Sequence, residues 1–265
     1  MDVDRISLLP DSLLHHILSS LNTKLAVQTC VLSKRWRSVW FRIPTLNFDF
    51  DSYPFEESTR NNPKSKEKSF KRFIFKVMSE HRGYIQKLSY SSPRFHGMNV
   101  MTLSICYAQC HNVKELYITA DSYDSTIWCL SACDFLTVLK VSHVLVYHDL
   151  GSLVLPCLRI LVVESLWKKP GYDDDGGGGY GREQLNEETF LGCPNLECLT
   201  LINYGDLEST CISAPTLESL EIGASSHWEL TFPKLKLCTP NLKRAKFENV
   251  LPFLRGMAHV GQRWG

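Results

Sequence analysis

Two hydrophobic rhythms run along this chain, and the change from one to the other divides it. Between Asp11 and Leu21 the residues Leu13, Leu14, Ile17, Leu18 and Leu21 recur at helical spacing, with His15, His16, Ser19 and Ser20 on the other side. That spacing predicts an amphipathic helix, with Pro10 in its first turn and Asp11 at the positive end of the helix dipole. Asn22-Thr23 interrupts the pattern and can cap a second helix carrying Ala26, Val27, Cys30 and Val31. Ser33 then caps a third, in which Trp36, Val39 and Trp40 are apolar and Lys34, Arg35 and Arg37 decorate the surface. Three helices this short expose more leucine, isoleucine and tryptophan than they can bury among themselves. The rest of the chain or a partner must cover the surplus.

Asp49 to Lys68 reads as a polar connection with a turn at Asn61-Asn62-Pro63. Phe70, Phe73, Ile74, Val77 and Met78 follow a helical stripe that ends near Arg82-Gly83, which predicts a helix packed across the first repeat of the region beyond it. The period then switches to alternation, and one six-residue unit returns. It occurs as Ile85-x-x-Leu88-x-Tyr90, Val113-x-x-Leu116-x-Ile118, Leu136-x-x-Leu139-x-Val141 and Leu158-x-x-Leu161-x-Val163. Leu196-x-x-Leu199-x-Leu201, Leu217-x-x-Leu220-x-Ile222 and Leu242-x-x-Ala245-x-Phe247 complete the series. Successive starts lie 28, 23, 22, 38, 21 and 25 residues apart, intervals that mostly match a leucine-rich repeat. Pro156, Pro194, Pro215 and Pro240 each stand two residues before a unit, where a missing donor costs the sheet nothing.

No such unit buries its apolar face alone, but stacked neighbours can, which predicts a curved solenoid. The first, fourth and sixth positions should point inward; the third, fifth and seventh should line the exposed face of a parallel sheet. Candidate target-binding residues on that face are Lys87, Glu115, Tyr117, Lys140, Glu164, Thr200, Glu221, Arg244 and Lys246. Its mixture of charged and apolar side chains suits protein recognition better than phosphate binding. The long interval, with Trp167-Lys168-Lys169-Pro170 and a run of aspartates and glycines from Asp173 to Gly181, reads as an insertion at about 167–187.

Lys and Arg number 29 against 28 Asp and Glu, a net charge of +1, so no global field favours nucleic acid or anionic lipid. Three cations within one turn do not make a nucleic-acid stripe. No run of 18 apolar residues predicts a membrane span, and the start lacks a signal-peptide profile. Ten irregularly spaced cysteines within apolar runs are read as buried, reduced thiols, which points to the nucleus or cytoplasm.

Chemistry-bearing patterns are sparse. Cys106-x3-Cys110-His111 and Cys129-x3-Cys133 would each share a helix face, so a zinc site is conceivable, but the apolar neighbours favour ordinary core cysteines. The glycine run lacks the Lys-Ser/Thr of a phosphate loop, and the three aspartates lack EF-hand spacing. His143 and His148 have no nearby nucleophile in sequence. No cofactor, metal or catalytic residue is expected; an enzyme with a distributed site on an α/β scaffold stays as an alternative.

The segments Arg5 to Leu21, containing Leu9-Pro10-Asp11, and Thr23 to Trp40, containing Leu32-Ser33-Lys34-Arg35-Trp36, strongly resemble an F-box. The version is similar to that of plant F-box proteins with leucine-rich repeats, whose Pro-x-Leu-x-x-Leu units extend the resemblance more loosely along the chain. The resemblance implies an α/β protein: a small N-terminal helical F-box, then an irregular leucine-rich-repeat solenoid with a parallel sheet on its concave face. It implies a substrate-recognition adaptor that binds a Skp1-type adaptor and, through it, a cullin scaffold. Leu9, Pro10, Leu13, Ile17, Leu18, Leu32 and Trp36 would form or support the adaptor-binding face, while Val39 and Trp40 pack toward the repeats. Asn22 stands where proline is frequent in the family, and Leu25 where an acidic residue is common. A repeat-based interaction protein with a vestigial F-box is the alternative. The expected divisions are 1–48 for the helical module, 49–83 for linker and packing helix, 84–248 for repeats, and 249–265 for a tail. Related proteins continue further, so a short isoform or truncated product with an exposed solenoid end is also expected.

Overall fold

A computed structural model describes residues 6, 8–53, 63–92, 98–122, 130–131, 133–146, 153–165, 167–168, 185, 187–203, 210–223, 230–232, 235–248 and 250–252. The chain opens with helices α1 (Asp11–Ser19), α2 (Thr23–Gln28) and α3 (Lys34–Trp40), with a 3-10 turn at Thr29–Val31. Their starts follow local chemistry. Asn22 accepts a hydrogen bond from the Leu25 N–H at 2.9 Å, and the Ser33 hydroxyl accepts one from the Trp36 N–H at 3.4 Å. Pro10 is the cap residue of α1, one place earlier than the first helical turn expected of it.

Strand β1 (Thr45–Asp49) follows, then helix α4 (Pro63–Glu80), strand β2 (Lys87–Ser92), helix α5 (Met98–Cys110), and strands β3 (Glu115–Ser122), β4 (Val138–Val146) and β5 (Ile160–Glu164). The remaining strands are β6 (Trp167–Lys168), β7 (Cys198–Ile202), β8 (Thr210–Ser213), β9 (Ser219–Gly223), β10 (Leu230–Phe232), β11 (Leu235–Cys238), β12 (Arg244–Glu248) and β13 (Val250–Pro252). The principal sheet runs β1-β2-β3-β4-β5-β7-β9-β12, with every neighbouring pair parallel. All seven sequence units fall on this sheet in one common register, Lys87 against Glu115, Val138, Ile160, Cys198, Ser219 and Arg244 in turn. Their first, fourth and sixth positions are buried in the first six units. In the last, Leu242, Ala245 and Phe247 are only partly covered.

Smaller devices hold the coils in step. After three of the four prolines the next residue reaches back one coil: the Asn195 amide donates to the Pro156 carbonyl, the Thr216 hydroxyl to Pro194, and the Asn241 amide to Pro215, at 2.7, 2.9 and 2.7 Å. At the eighth position of three units the backbone turns through positive φ, at His143, Ser165 and Asn203. There the Ser165 and Asn203 N–H groups donate to the next strand's end, at the Ile202 and Gly223 carbonyls. Side ladders β8–β11, β10–β13 and β4–β6 run parallel as well.

Three expectations need correction. The sheet begins at β1, inside the stretch assigned to the helical module, where Ile43-x-x-Leu46-x-Phe48 is a buried copy of the unit that α4 sets apart from the regular spacing. Helix α4 starts at Pro63, not after Lys68, since its polar first half hides one buried position. There Lys66 lays its ammonium 4.4 Å from the Phe50 ring centroid. Of the nine described cysteines, all unpaired in disulfides, only Cys133 and Cys193 are buried, and Cys110 and Cys157 are exposed. Helix α5 turns Cys110 outward while burying Val100, Met101, Ile105 and Ala108. Cys129, His148 and most of the Asp/Gly-rich insertion and of the 249–265 tail lie outside the described residues.

Helices and sheet share one core. The Asn47 N–H donates to the buried Thr23 hydroxyl at 2.7 Å, closing the outer edge of β1. The Arg82 and Gly83 N–H groups converge on the Phe41 carbonyl at 2.9 and 3.2 Å. A Cβ at Gly83 would come within 2.7 Å of the Arg42 Cα, so only glycine admits this approach. Buried His81 donates from Nε2 to the Ile43 carbonyl at 2.9 Å, which leaves its buried Nδ1 without a partner. Burial holds its pKa below the ordinary value, only partly opposed by that hydrogen bond, with nearby His111 lowering it further.

A folded pKa below the unfolded one means that the unfolded chain takes up the proton first, so stability falls as pH drops below about 6.5. Thermal melts between roughly pH 7.5 and 5.5 should show wild type losing more stability than His81→Gln. Equal losses in the two proteins would contradict the role assigned to His81.

Candidate functional site

The first candidate surface lies on the N-terminal helices. In α1 the 3.6-residue period sends Leu14 and Leu18 into the core, while Leu13 and Ile17 beside them stay 48% and 42% exposed. Leu32, just before the Ser33 cap, is 64% exposed, Pro10 is exposed and Leu9 is half-buried. Leu18 and Trp36 do not join this face. They are 1% and 6% exposed, because α1 and α3 turn their apolar stripes, Leu14 and Leu18 against Trp36, Val39 and Trp40, into one buried cluster. They floor the face from beneath.

Sequence reasoning missed other members. Ile6, Leu8, Leu25 and Val31 are exposed as well. Helical spacing puts Val31 in the apolar stripe of the second helix, but the 3-10 turn at 29–31 rotates it outward. The available signal was the excess of aliphatic residues over what helices of six to nine residues can cover.

A polar clamp fixes the start of this surface. Arg35 on α3 places Nη2 2.6 Å and Nε 3.1 Å from the Asp11 carboxylate, and Nη2 also donates to the Leu9 carbonyl. The pair is solvent-exposed, so it adds little to global stability, yet it ties the Leu9-Pro10 segment to α3.

The second surface is the exposed face of the main sheet, where Lys87, Glu115, Tyr117, Lys140, Glu164, Thr200, Glu221, Arg244 and Lys246 all lie, none fully buried. Their charges are largely turned on one another. The Lys87 ammonium sits 4.0 Å from the Tyr117 ring centroid, and the Tyr117 hydroxyl is 3.5 Å from the Glu115 carboxylate. Lys140 donates to Glu164 at 2.7 Å, joined by the Ser142 hydroxyl at 2.9 Å. Burial alone would raise the Glu164 pKa, but these two hydrogen bonds and the Lys140 charge hold it below the ordinary range. Lys246 reaches Glu221 at 2.8 Å and Glu248 at 2.6 Å. Among these charges lie aliphatic residues: Val138 opposite Ile160, then Val162 on the same strand as Ile160, and Ile202 opposite Glu164.

A cleft of about 340 Å³ lies between α1 and the start of the sheet, lined by His15 and Ser19 and by Gln86, Lys87 and Glu115. Among the described residues no three His, Cys, Asp or Glu side chains converge to hold a metal, and no helix is long and apolar enough to cross a membrane.

Residues 6–46 match the F-box domain. Two F-box/FBD/LRR-repeat proteins of Arabidopsis thaliana are similar over most of the chain. One is 30% identical over 234 residues, covering 84% of this chain and 48% of its own length. Another is 29% identical over 255 residues, covering 92% of this chain and 54% of its own. The chain thus spans about half the length of the curated relatives it matches.

Arg35→Ala should change the unfolding free energy by less than about 1 kcal/mol. Amide hydrogen exchange at Leu8, Leu9 and Leu13 should nonetheless accelerate. Unchanged exchange there would show that the clamp does not hold the segment.

Proposed function

Because the chain belongs to the plant F-box proteins with leucine-rich repeats, we propose that it is a substrate-recognition subunit of a cullin-RING ubiquitin ligase. The N-terminal helices grip a Skp1-type adaptor through Leu9, Pro10, Leu13, Ile17 and Leu32, with Leu18 and Trp36 packed beneath. That adaptor links the chain to the cullin scaffold. The sheet face holds the target protein. The observation that carries the reading is the row of half-open leucine and isoleucine side chains on a helix whose neighbouring leucines are sealed.

Such a subunit works by proximity, converting a rare encounter between target and ubiquitin donor into one at high effective concentration. Ubiquitin transfer takes place on another subunit, so no side chain here forms a bond or moves a proton. We place this activity in the nucleus or cytoplasm.

The test is calorimetric titration of the full chain with a purified Skp1-type adaptor. Truncating a central hydrophobic anchor costs about 2 kcal/mol or more, so L13D/I17D should weaken binding by at least about 30-fold. Its circular-dichroism melt should stay close to wild type, because both side chains are already partly in water. Leu18→Asp should instead lower the melting temperature. Wild-type affinity in the folded L13D/I17D variant would refute the assigned face.

A further inference from the structure

Apart from the main sheet, the parallel pair β8 and β11 links the coil that leads into β9 with the coil that leads into β12. Its register sets Cys211 opposite Lys236 and Ser213 opposite Cys238. Alternation along the strands gives the ladder two sides. Buried Ile212 and Leu235 take one, with Leu237 packed beside them. Cys211, Lys236 and Cys238 share the other, and both cysteines are half-buried there. The two thiols lie on neighbouring strands, offset by two positions, within hydrogen-bond reach of each other. Burial, and then the Cys238 sulfur, hold the Cys211 thiol above its ordinary pKa, with Glu187 adding to the rise and Lys236 opposing it. The Lys236 ammonium and the Glu187 carboxylate are engaged with each other at 2.5 Å. That ion pair leaves the two sulfurs facing one another.

Distance and ligand count decide what such a pair can do. Positions offset by two across a ladder stand about 7–8 Å apart, and a disulfide closes without moving the backbone only below about 7 Å. A metal–thiolate bond is about 2.3 Å long, so an ion held between two sulfurs spans about 4.6 Å, close to the separation of thiols in hydrogen-bond reach. Bridging by an ion therefore needs less movement than bridging by a bond. Among the described residues no third His, Cys, Asp or Glu completes a metal set around these thiols. That disfavours zinc, which takes four ligands, and calcium or magnesium, which take oxygens. Two thiolates and nothing else suit a soft cation of low coordination number, and copper(I) is of that class.

We propose that Cys211 and Cys238 form a two-coordinate site for copper(I), which ties the coil of β8 to the coil of β11. Each thiol releases its proton to solvent as its sulfur bonds the ion, so two S–H bonds give way to two copper–sulfur bonds and no electron is transferred. The site uses no residue of the adaptor-binding or target-binding surfaces and stands whether or not those assignments hold. Because the ion joins residues from two coils, it favours the folded chain.

Anaerobic titration of the reduced full chain with copper(I), against a chromophoric copper(I) chelator, tests this. Wild type should withdraw one equivalent that Cys211→Ser and Cys238→Ser each fail to withdraw, since one thiol alone cannot hold the ion. C106S/C110S, which removes the helical cysteine pair, should withdraw it as wild type does. The same equivalent should raise the wild-type melting temperature by a few degrees and leave that of Cys238→Ser unchanged. Both serine variants should melt close to wild type without the ion, which separates loss of the site from loss of the fold. Wild type that takes no copper from the chelator would overturn the proposal. So would either serine variant binding as wild type does, or zinc bound as tightly as copper(I).

Discussion

The division of α1 into a sealed stripe and an open one is the constraint on which the rest depends. Leu14 and Leu18 join Trp36, Val39 and Trp40 in the core that continues into β1 through Leu46 and Phe48. Burying a leucine fully contributes about 1.5–3 kcal/mol, so these two side chains alone fix how the helix sits on the sheet. Once α1 is seated that way, helical geometry leaves Leu13 and Ile17 outside with no freedom to turn in. The open face is therefore a consequence of how the core closes, and it stays rigid because its floor is packed. The Thr23 hydroxyl and the Phe41 and Ile43 carbonyls complete the seam by accepting hydrogen bonds from Asn47, from Arg82 and Gly83, and from His81, which makes the helical front a cap on the solenoid.

Capping matters because a solenoid is one-dimensional. Each coil is stabilised by its neighbours, so units packed between described neighbours bury their first, fourth and sixth positions. At the front, helices supply that cover. At β12 the pattern Leu242-x-x-Ala245-x-Phe247 is the weakest of the seven, with alanine where the others carry leucine, and it buries less. The back-reaching bonds of Asn195, Thr216 and Asn241 compensate in part, since each spans a coil boundary that apolar packing alone would leave free to slide.

Most of the sheet was legible in the sequence because its signal is repeated. Seven units with one register reinforce each other, and a strand of five residues becomes readable when its neighbours share the pattern. β1 carries the same unit, Ile43-x-x-Leu46-x-Phe48, but it directly follows the helical module and starts 42 residues before Ile85, outside the spacing of the other repeats. The start of α4 was obscured for the opposite reason: Lys64 to Lys68 is polar by composition, and only the aromatic contact of Lys66 shows why that stretch is packed. Hydrophobicity indicated that the front helices leave apolar side chains uncovered, but not which ones. Leu13 and Leu14 are chemically identical, and their fates are set by a rotation of about 100° per residue that composition does not carry.

The exposed face of the sheet follows the same logic at the level of charge. Counting Lys87, Lys140, Lys246 and Arg244 along the sheet suggests a basic surface, yet Lys140 and Lys246 are held by carboxylates and Lys87 lies over Tyr117. A ligand that sought these cations would first have to break an existing pair, and a partly buried pair such as Lys140 with Glu164 resists that more than an exposed one. Val138, Ile160, Val162 and Ile202 demand no such exchange, because covering them only removes apolar area from water. The paired charges among them then penalise a badly matched partner more than they reward a matched one. On the proposed target-binding surface the energy of capture would reside in the aliphatic residues and the selectivity in the charges around them.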